Sequence, residues 1–208
     1  GYYQFTASKT KRWSTARAYL EPARDRANLK VETGAHATRV LIKDGRAIGI
    51  AFRQNGQEHI AHARREVVVS GGAFGSPHLL QLSGIGPGAV LHGHGIPVVR
   101  ELPGVGENLQ DHFNTYIPFR CAKAVTANDL ANRLWRRLAS GAEYFLFGKG
   151  LMTNTGVHAG AFVRSDPSLE RPDLQINFLP WGTKARTAKG VEVYPFSCYS
   201  LSPVHLRP

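Results

Sequence analysis

The sequence predicts a mixed α/β fold, α+β when taken whole, in two parts that meet near His112. Three observations predict it. Three alternating segments are joined by Asp44-Gly45 and Asn55-Gly56, dipeptides suited to two-residue hairpin turns, so they read as a meander. A valine-rich run, Glu66 to Ser70, bends through Gly71-Gly72 into a helical pattern. Beyond His112 the order becomes strand, helix, strands, as in an antiparallel sheet backed by helix.

In chain order, Ser14 to Leu20 suits a short helix, broken by Pro22 and the neighbouring Arg and Asp residues. Leu29 to Glu32 reads as a strand. The meander strands are His36 to Lys43, Arg46 to Arg53 and Gln57 to Ala63. Ser76 suits an N-cap and Pro77 the first helical position, with Leu79, Leu80, Leu82 and Ile85 as the buried face. Gly88 to Gly95 forms a second short helix, and Ile96 to Val99 leads into the turn-rich Leu102 to Gly106. Asn114 to Cys121 is strand-like. Asp129 to Phe147 has helical spacing, with Leu130, Leu134, Trp135, Leu138, Tyr144, Phe145 and Leu146 on or near one face. It reads as packed on a core rather than on a membrane. Val157 to Arg164, Leu174 to Leu179 and Val193 to Leu201 complete the strands, and there are no internal repeats.

A chain of 208 residues can bury a real core. Both ends read as cut, with Gly1-Tyr2-Tyr3-Gln4-Phe5 like the interior of a domain and Leu201 to Pro208 lacking a closing element. The expectation is an internal piece of a longer protein. The net charge of +11 raises nucleic-acid binding, since clustered cations release counterions from phosphate backbones. The basic residues come instead in scattered pairs such as Arg64-Arg65 and Arg136-Arg137, without interleaved aromatics, so no nucleic-acid partner is expected. Cys121 and Cys198 form no CxxC and read as two free, buried thiols, a single bridge being the alternative. No apolar run approaches the ~18 residues of a membrane span. The histidines show no metal-ligand spacing, so no metal is expected, and no GxSxG elbow points to hydrolysis.

The bend from Ser70 to the helix is the first candidate site. In a strand–glycine–helix unit, small residues let backbone approach a ligand and free N–H groups at the helix start face negative charge. Ser70, Gly71, Gly72 and Ser76 are therefore candidate contacts for a phosphate-bearing cofactor. Glycines that merely permit tight strand-to-helix packing are the alternative.

The wording of this stretch is more specific. Gly72-Ala73, Ser76-Pro77, Leu79-Leu80 and Ser83-Gly84-Ile85-Gly86 fill every required position of a pattern that resembles the second signature of the glucose–methanol–choline (GMC) family of FAD-dependent oxidoreductases. Arg12-Trp13-Ser14-Thr15-Ala16 with Tyr19-Leu20 resembles the same family, as does Leu102-Pro103-Gly104-Val105-Gly106 with Asn108-Leu109-Gln110-Asp111-His112. The resemblance runs from Gly1 to His112 and is looser beyond.

The resemblance implies part of an FAD-binding domain of the disulfide-reductase-like type, with its inserted β-meander, over residues 1–112. Part of an antiparallel-sheet substrate domain is implied over 113–208. FAD is the implied cofactor, with Ser70, Gly71, Gly72 and Ser76 in contact with it or supporting it. Ala37 falls where relatives recognise adenine through backbone groups, an ordinary strand alanine being the alternative. Asp111 and His112 read as holding a loop; the family's catalytic histidine lies C-terminal to this chain, so no catalytic residue is expected within it. His158 falls where many relatives carry a glutamate that in choline-using enzymes helps hold the trimethylammonium. It is a substrate-pocket candidate that argues against choline, or else a packed strand histidine.

The implied reaction is hydride transfer from a primary or secondary alcohol to flavin, with oxygen, a quinone or another carrier as acceptor, and the cytoplasm as favoured compartment. The isolated chain is expected not to turn over. The alternatives are an FAD-containing lyase on the same scaffold and a non-catalytic basic interaction module.

Overall fold

The computed structural model describes residues 7–8, 11–153, 156–188 and 190–206. The expectations for Gly1 to Phe5, for Asn154-Thr155 and for the last two residues lie outside these. The fold is mixed α/β with several separate sheets, divided into two compact units. One is Arg26–Asp111; the other joins Gly1–Asp25 to His112–Pro208.

In the unit Arg26–Asp111, β1 (His36–Lys43), β2 (Arg46–Gln54) and β3 (Gln57–His62) form an antiparallel meander in that order. Both turns have positive φ at each central residue (Asp44 51°, Gly45 74°, Asn55 52°, Gly56 80°). That is the left-handed geometry for which Asp-Gly and Asn-Gly are suited, because its twist matches the flanking strands. β1 carries a bulge: Ala37 faces Phe52 and Arg39 faces Ala51, leaving Thr38 extra, with its hydroxyl donating to the Ala51 carbonyl at 3.1 Å.

The helix α1 spans Gly72–Leu82, and α2 spans Gly88–Gly93. Between α2's flanks, Ile85–Gly86 pairs in parallel with Arg100–Glu101. The buried Ser83 at the end of α1 ties the two layers together: the Val40 N–H of edge strand β1 donates to Ser83 Oγ at 2.8 Å, and Ser83 Oγ donates to the Leu79 carbonyl at 2.6 Å.

Several expectations are corrected here. Leu29 to Glu32 and Glu66 to Ser70 belong to no ladder among the described residues. A strand needs a backbone ladder, and neither segment has one among the described residues; Val68 is 75% exposed. α1 begins at Gly72, so Ser76 is no N-cap and Pro77 lies inside the helix. Ser76 works from within the helix instead, its Oγ accepting the Gly71 N–H at 2.9 Å. Leu82 is exposed rather than buried, while Leu79, Leu80 and Ile85 are half-buried. Gly88–Gly93 is helical as expected, ending two residues early.

In the other unit, Pro22 does not break the first helix. The chain widens to a π-helical turn over Ala16–Leu20, with the Glu21 N–H bonding the Ala16 carbonyl, and continues helical through Ala23. One extra residue in the turn absorbs proline's missing donor. The main sheet is antiparallel, from β4 (Ile117–Arg120), β5 (Ala159–Val163), β6 (Leu174–Leu179) and β9 (Cys198–His205), in the spatial order β4-β9-β6-β5. The strand expected from Val193 to Leu201 starts later, as β9, and a separate hairpin that the sequence did not announce, β7 (Thr183–Thr187) with β8 (Gly190–Val193), precedes it.

The helix expected from Asp129 to Phe147 is two helices, α3 (Ala127–Asn132) and α4 (Leu134–Phe147), split at an extended Arg133 (φ −134°, ψ 108°). The break is stabilised from outside: Arg137 donates to the Leu130 and Ala131 carbonyls, and Asn132 to the Tyr194 carbonyl. The apolar stripe of α4 is also inverted, with Leu134, Trp135, Leu138, Phe145 and Leu146 facing outward. Ser140 is buried instead, and the Arg136 guanidinium lies over the Trp135 ring and donates to the Ala124 carbonyl.

A buried polar cluster anchors α3. Thr126 and Asp129 form a capping box, Thr126 Oγ1 accepts the Cys198 N–H at 3.1 Å, and Asn128 bonds both backbone groups of Gly182 and the Tyr194 carbonyl. Both cysteines are free; Cys198 is buried, but Cys121 only half so. Among the described residues no helix is long and apolar enough to cross a membrane.

Ser83→Ala leaves the Val40 N–H without its acceptor and is expected to cost about 1–3 kcal/mol in denaturant unfolding, with faster amide exchange at Val40. Asn128→Ala leaves the Gly182 N–H without its acceptor and removes one of two donors from the Gly182 and Tyr194 carbonyls, and is expected to cost about 1–3 kcal/mol by the same measurement.

Candidate functional site

The unit Arg26–Asp111 holds a groove of about 570 Å³ lined on one side by Ala73, Phe74, Ser76 and Pro77 of α1 and on the other by Gly104 to Gln110. Two sequence segments that resemble one family thus meet in space. Gln81 fastens them, its Nε2 donating to the Val105 carbonyl at 3.1 Å.

The glycines at the head of α1 differ in their reasons. A Cβ on Gly71 would sit 3.0 Å from the Gly75 carbonyl carbon and 3.1 Å from the Ser76 nitrogen, so packing within the chain accounts for it. Gly72 has φ +81°, a conformation that L side chains resist. Gly75 is helical, and a Cβ there would meet nothing within 4 Å. No side chain caps this end of the helix, and Ser70 through Gly75 are exposed. Phe74 is 74% exposed beside them.

Ala37 lines a second cavity of about 520 Å³, with Ile50, Phe52, Ile60 and Ala61 as its apolar wall and Lys30 and Glu32 among its other lining residues. Phe52 stacks on His59, ring centroids 5.4 Å apart. Lys30 Nζ lies 2.6 Å from Glu32 Oε1, and this hydrogen bond and charge raise the ammonium pKa and lower the carboxyl pKa.

In the other unit, the central strand β9 buries Cys198, Ser200, Ser202 and Val204 on one face. The opposite face carries Tyr199, Leu201 and Pro203, with Phe119 and Ile117 of β4 opposite Tyr199 and Leu201, and Phe178 and Ile176 of β6 opposite Leu201 and Pro203. Phe178 and Tyr199 stack with centroids 4.5 Å apart and planes 12° from parallel. His158 joins them: its N–H donates to the Phe178 carbonyl at 2.9 Å, and its ring lies 6.0 Å from Tyr199. His158 is exposed, and its partial desolvation lowers the imidazole pKa. Burial pushes the Cys198 thiol up. At the far end of the sheet, Asp173 accepts from the Ser165 N–H and hydroxyl, which lower its carboxyl pKa.

The sequence profile described as "GMC oxidoreductase" matches residues 1–114, more than half of the 208. The chain belongs to the GMC oxidoreductase family. This GMC chain is 44% identical over 180 residues to "Choline dehydrogenase, mitochondrial" of Homo sapiens, a match covering 86% of the chain and 30% of the human protein. It is 42% identical over 191 residues to "Oxygen-dependent choline dehydrogenase" of Pseudomonas aeruginosa strain LESB58, covering 91% of the chain and 34% of that relative. The chain therefore spans about a third of the length of the curated relatives it matches. Among solved structures, formate oxidase superposes with a TM-score of 0.85 at 23% identity, over 98% of this chain and 39% of that one. A fungal aryl-alcohol oxidase superposes with a TM-score of 0.71 at 20% identity, over 96% and 41%. These two likenesses establish the fold.

Within the GMC chain, the structure brings Ser70, Gly71, Gly72 and Ser76 to one exposed bend, with Ser76 lining the groove and Ala37 lining the other cavity of the same unit. His158 belongs to the other unit. Asp111 and His112 each have an interaction partner. Among the described residues no group of three or more His, Cys, Asp or Glu could hold a metal ion. Sequence reasoning passed over Gly75, Phe74, Gln81, Phe178 and Tyr199. The signal for Gly75 and Phe74 was their place inside the signature, and Phe178 was visible only as one apolar position of a strand.

The His158 imidazole is expected to titrate below 6.5, read by NMR of the ring protons. The sign of its linkage is set by the lowered folded pKa: folding is undisturbed above 6.5 and loses stability as pH falls through the unfolded value, until both states are protonated.

Proposed function

We propose that this chain supplies the middle of an FAD-dependent oxidoreductase that oxidises a CH–OH group. Residues 1–112 belong to a flavin-binding domain of the disulfide-reductase-like type and 113–208 to a substrate domain. The observation that carries the reading is the groove where the GMC signature helix meets the Gly104 to Gln110 segment, with open space beside Gly72 and Gly75. Family membership and the names of relatives sharing over 40% identity support the same chemistry.

The residues present fit the group. The uncapped start of α1 offers backbone N–H groups and the positive end of the helix dipole to the dinucleotide's polar parts. Gly72 and Gly75 leave room for close approach, and Ser76 holds Gly71 in place so that the bend keeps its shape. The cavity beside Ala37, walled by Ile50, Phe52 and Ile60, suits a flat heteroaromatic ring, with strand backbone available for edge hydrogen bonds. When bound, FAD supplies a two-electron acceptor for the hydride of the carbinol carbon. The chain's own work is to seat that acceptor and to present an apolar sheet face to the alcohol. The hydroxyl proton goes to a base outside this chain, and oxygen or a quinone takes the electrons afterwards.

The test is anaerobic addition of an alcohol to the full-length flavoprotein. Loss of the oxidised-flavin absorption supports the oxidoreductase; an unchanged spectrum with every alcohol, together with cleavage of a cyanohydrin, overturns it in favour of a lyase. Gly75→Leu separates cofactor contact from packing. Leucine is a good helix former in open space, so denaturant stability is expected to stay equal or rise, while FAD affinity falls about tenfold or more by fluorescence titration.

A further inference from the structure

A cavity of about 360 Å³ is lined by residues of α3 and α4. Every residue that lines it falls between Val125 and Leu151, so one continuous stretch of this chain builds it. Its apolar lining comes from Val125, Leu130, Trp135, Ala139 and Leu151. Arg136, Ser140 and Glu143 follow one another at spacings of four and three along α4, which sets them on one side of the helix, and all three line the cavity.

Two buried polar atoms of this lining have no hydrogen-bond partner among the described residues: Arg136 Nε and Ser140 Oγ. Ser140 as a whole is only 8% exposed. Buried polar groups are ordinarily bonded, and a buried helical serine can reach the carbonyl one turn back, so two such atoms in one small space call for a physical account. The rest of the Arg136 guanidinium is committed. Its Nη1 donates to the Ala124 carbonyl, and its Cζ lies 4.9 Å from the centre of the Trp135 ring, so the Nε–H is held in place. Asp129 is committed too, its Oδ2 accepting the Thr126 N–H at 3.0 Å and the Thr126 hydroxyl at 3.4 Å. The Glu143 carboxylate lies against Gly150, where a Cβ would strike it, and stays exposed as an acceptor.

The cavity thus offers one fixed donor, one hydroxyl that can give or take, and one acceptor. An anion would meet the Arg136 donor but also two carboxylates, Asp129 and Glu143. A cation would meet Glu143 but lie against the guanidinium. An uncharged group with acceptor and donors side by side satisfies all three positions. We propose that this cavity binds a primary carboxamide carried on a small apolar body, its carbonyl oxygen accepting from Arg136 Nε and its N–H groups donating to Ser140 Oγ and the Glu143 carboxylate. The volume lies at the small end of ligand pockets, which suits a body about the size of a benzene ring against the apolar lining. Binding here is independent of the flavin reading, since none of these residues belongs to the groove beside α1 or to the cavity beside Ala37.

The experiment titrates the full-length holoenzyme with benzamide and with benzoate, following each ligand by NMR line broadening. Benzamide is expected to saturate a site with a Kd of about 1 mM or below, and benzoate to bind at least about tenfold more weakly. Ser140→Ala is expected to weaken benzamide about tenfold while the denaturant midpoint stays equal or rises, because the hydroxyl has no partner within the chain to lose. Ala139→Phe, which fills the cavity and keeps its polar groups, is expected to abolish binding. Benzoate binding as tight as that of benzamide overturns the proposal, as does the lack of saturable benzamide binding or benzamide binding that both variants leave unchanged. A Ser140→Ala variant of clearly lower stability overturns it as well, since the hydroxyl would then be bonded within the protein.

Discussion

The Ser83 hydroxyl is the contact on which the architecture of the unit Arg26–Asp111 depends. It accepts from the Val40 N–H and donates to the Leu79 carbonyl, so one buried atom joins the edge of the meander to the last turn of α1. An edge strand otherwise presents unpaired backbone groups, and a helix end leaves orphan carbonyls. The Ser83 hydroxyl supplies the acceptor for the first and adds a second hydrogen bond to the Leu79 carbonyl, which the Ser83 N–H already reaches at 3.1 Å. Linked donors and acceptors of this kind polarise one another in a low-dielectric interior, and a missing member costs more than a lone bond is worth. Around it, the Val99 and Arg100 N–H groups bond the Gly84 carbonyl, and the Gly88 N–H bonds Glu101. The groove beside α1 and the cavity beside Ala37 keep a fixed relation because this serine holds both layers.

What was legible in the sequence follows the range of the interactions involved. Asp44-Gly45 and Asn55-Gly56 dictate their own turn geometry, so the meander was readable with its boundaries nearly right. Leu29 to Glu32 and Glu66 to Ser70 have strand composition, but a ladder is a property of two segments, and composition says nothing of the neighbour. Ser76-Pro77 misled for a related reason. The local rules for a helix start are sound, yet Gly72 accepts a backbone angle that lets the helix begin earlier, and Ser76 then stabilises Gly71 from inside. The groove could be anticipated only as two motifs; that Gln81 brings them together is a tertiary fact.

The other unit shows how periodicity can be right and its direction wrong. The apolar repeat of α4 exists as read, on one stripe of the helix, but the stripe faces out. What holds the helix is polar: Arg136 on the Ala124 carbonyl, Arg137 on the end of α3, and the Thr126–Asp129–Asn128 cluster beneath. The sheet repeats the inversion. β9 buries Cys198, Ser200 and Ser202 with Val204 and leaves Tyr199 and Leu201 half-buried on the more open face. An outward apolar surface of this extent in an ordered unit marks an interaction side rather than random exposure.

The three glycines at the head of α1 carry the same logic down to single positions. Gly71 is explained by its neighbours, since a side chain there would strike Gly75 and Ser76; Gly72 is explained by its backbone angle. Gly75 is explained by neither: its conformation suits any residue, and the space beside it is open. Glycine in a helix interior costs roughly 1 kcal/mol relative to alanine, a cost with no internal return at this position. A residue that is unfavourable for the chain's own stability, exposed, and placed in the uncapped first turn of α1 with open space beside it is accounted for by what lies outside the chain. Gly75 thus supports a close-approaching cofactor more strongly than the Gly71-Gly72 pair, whose meaning the fold itself can absorb.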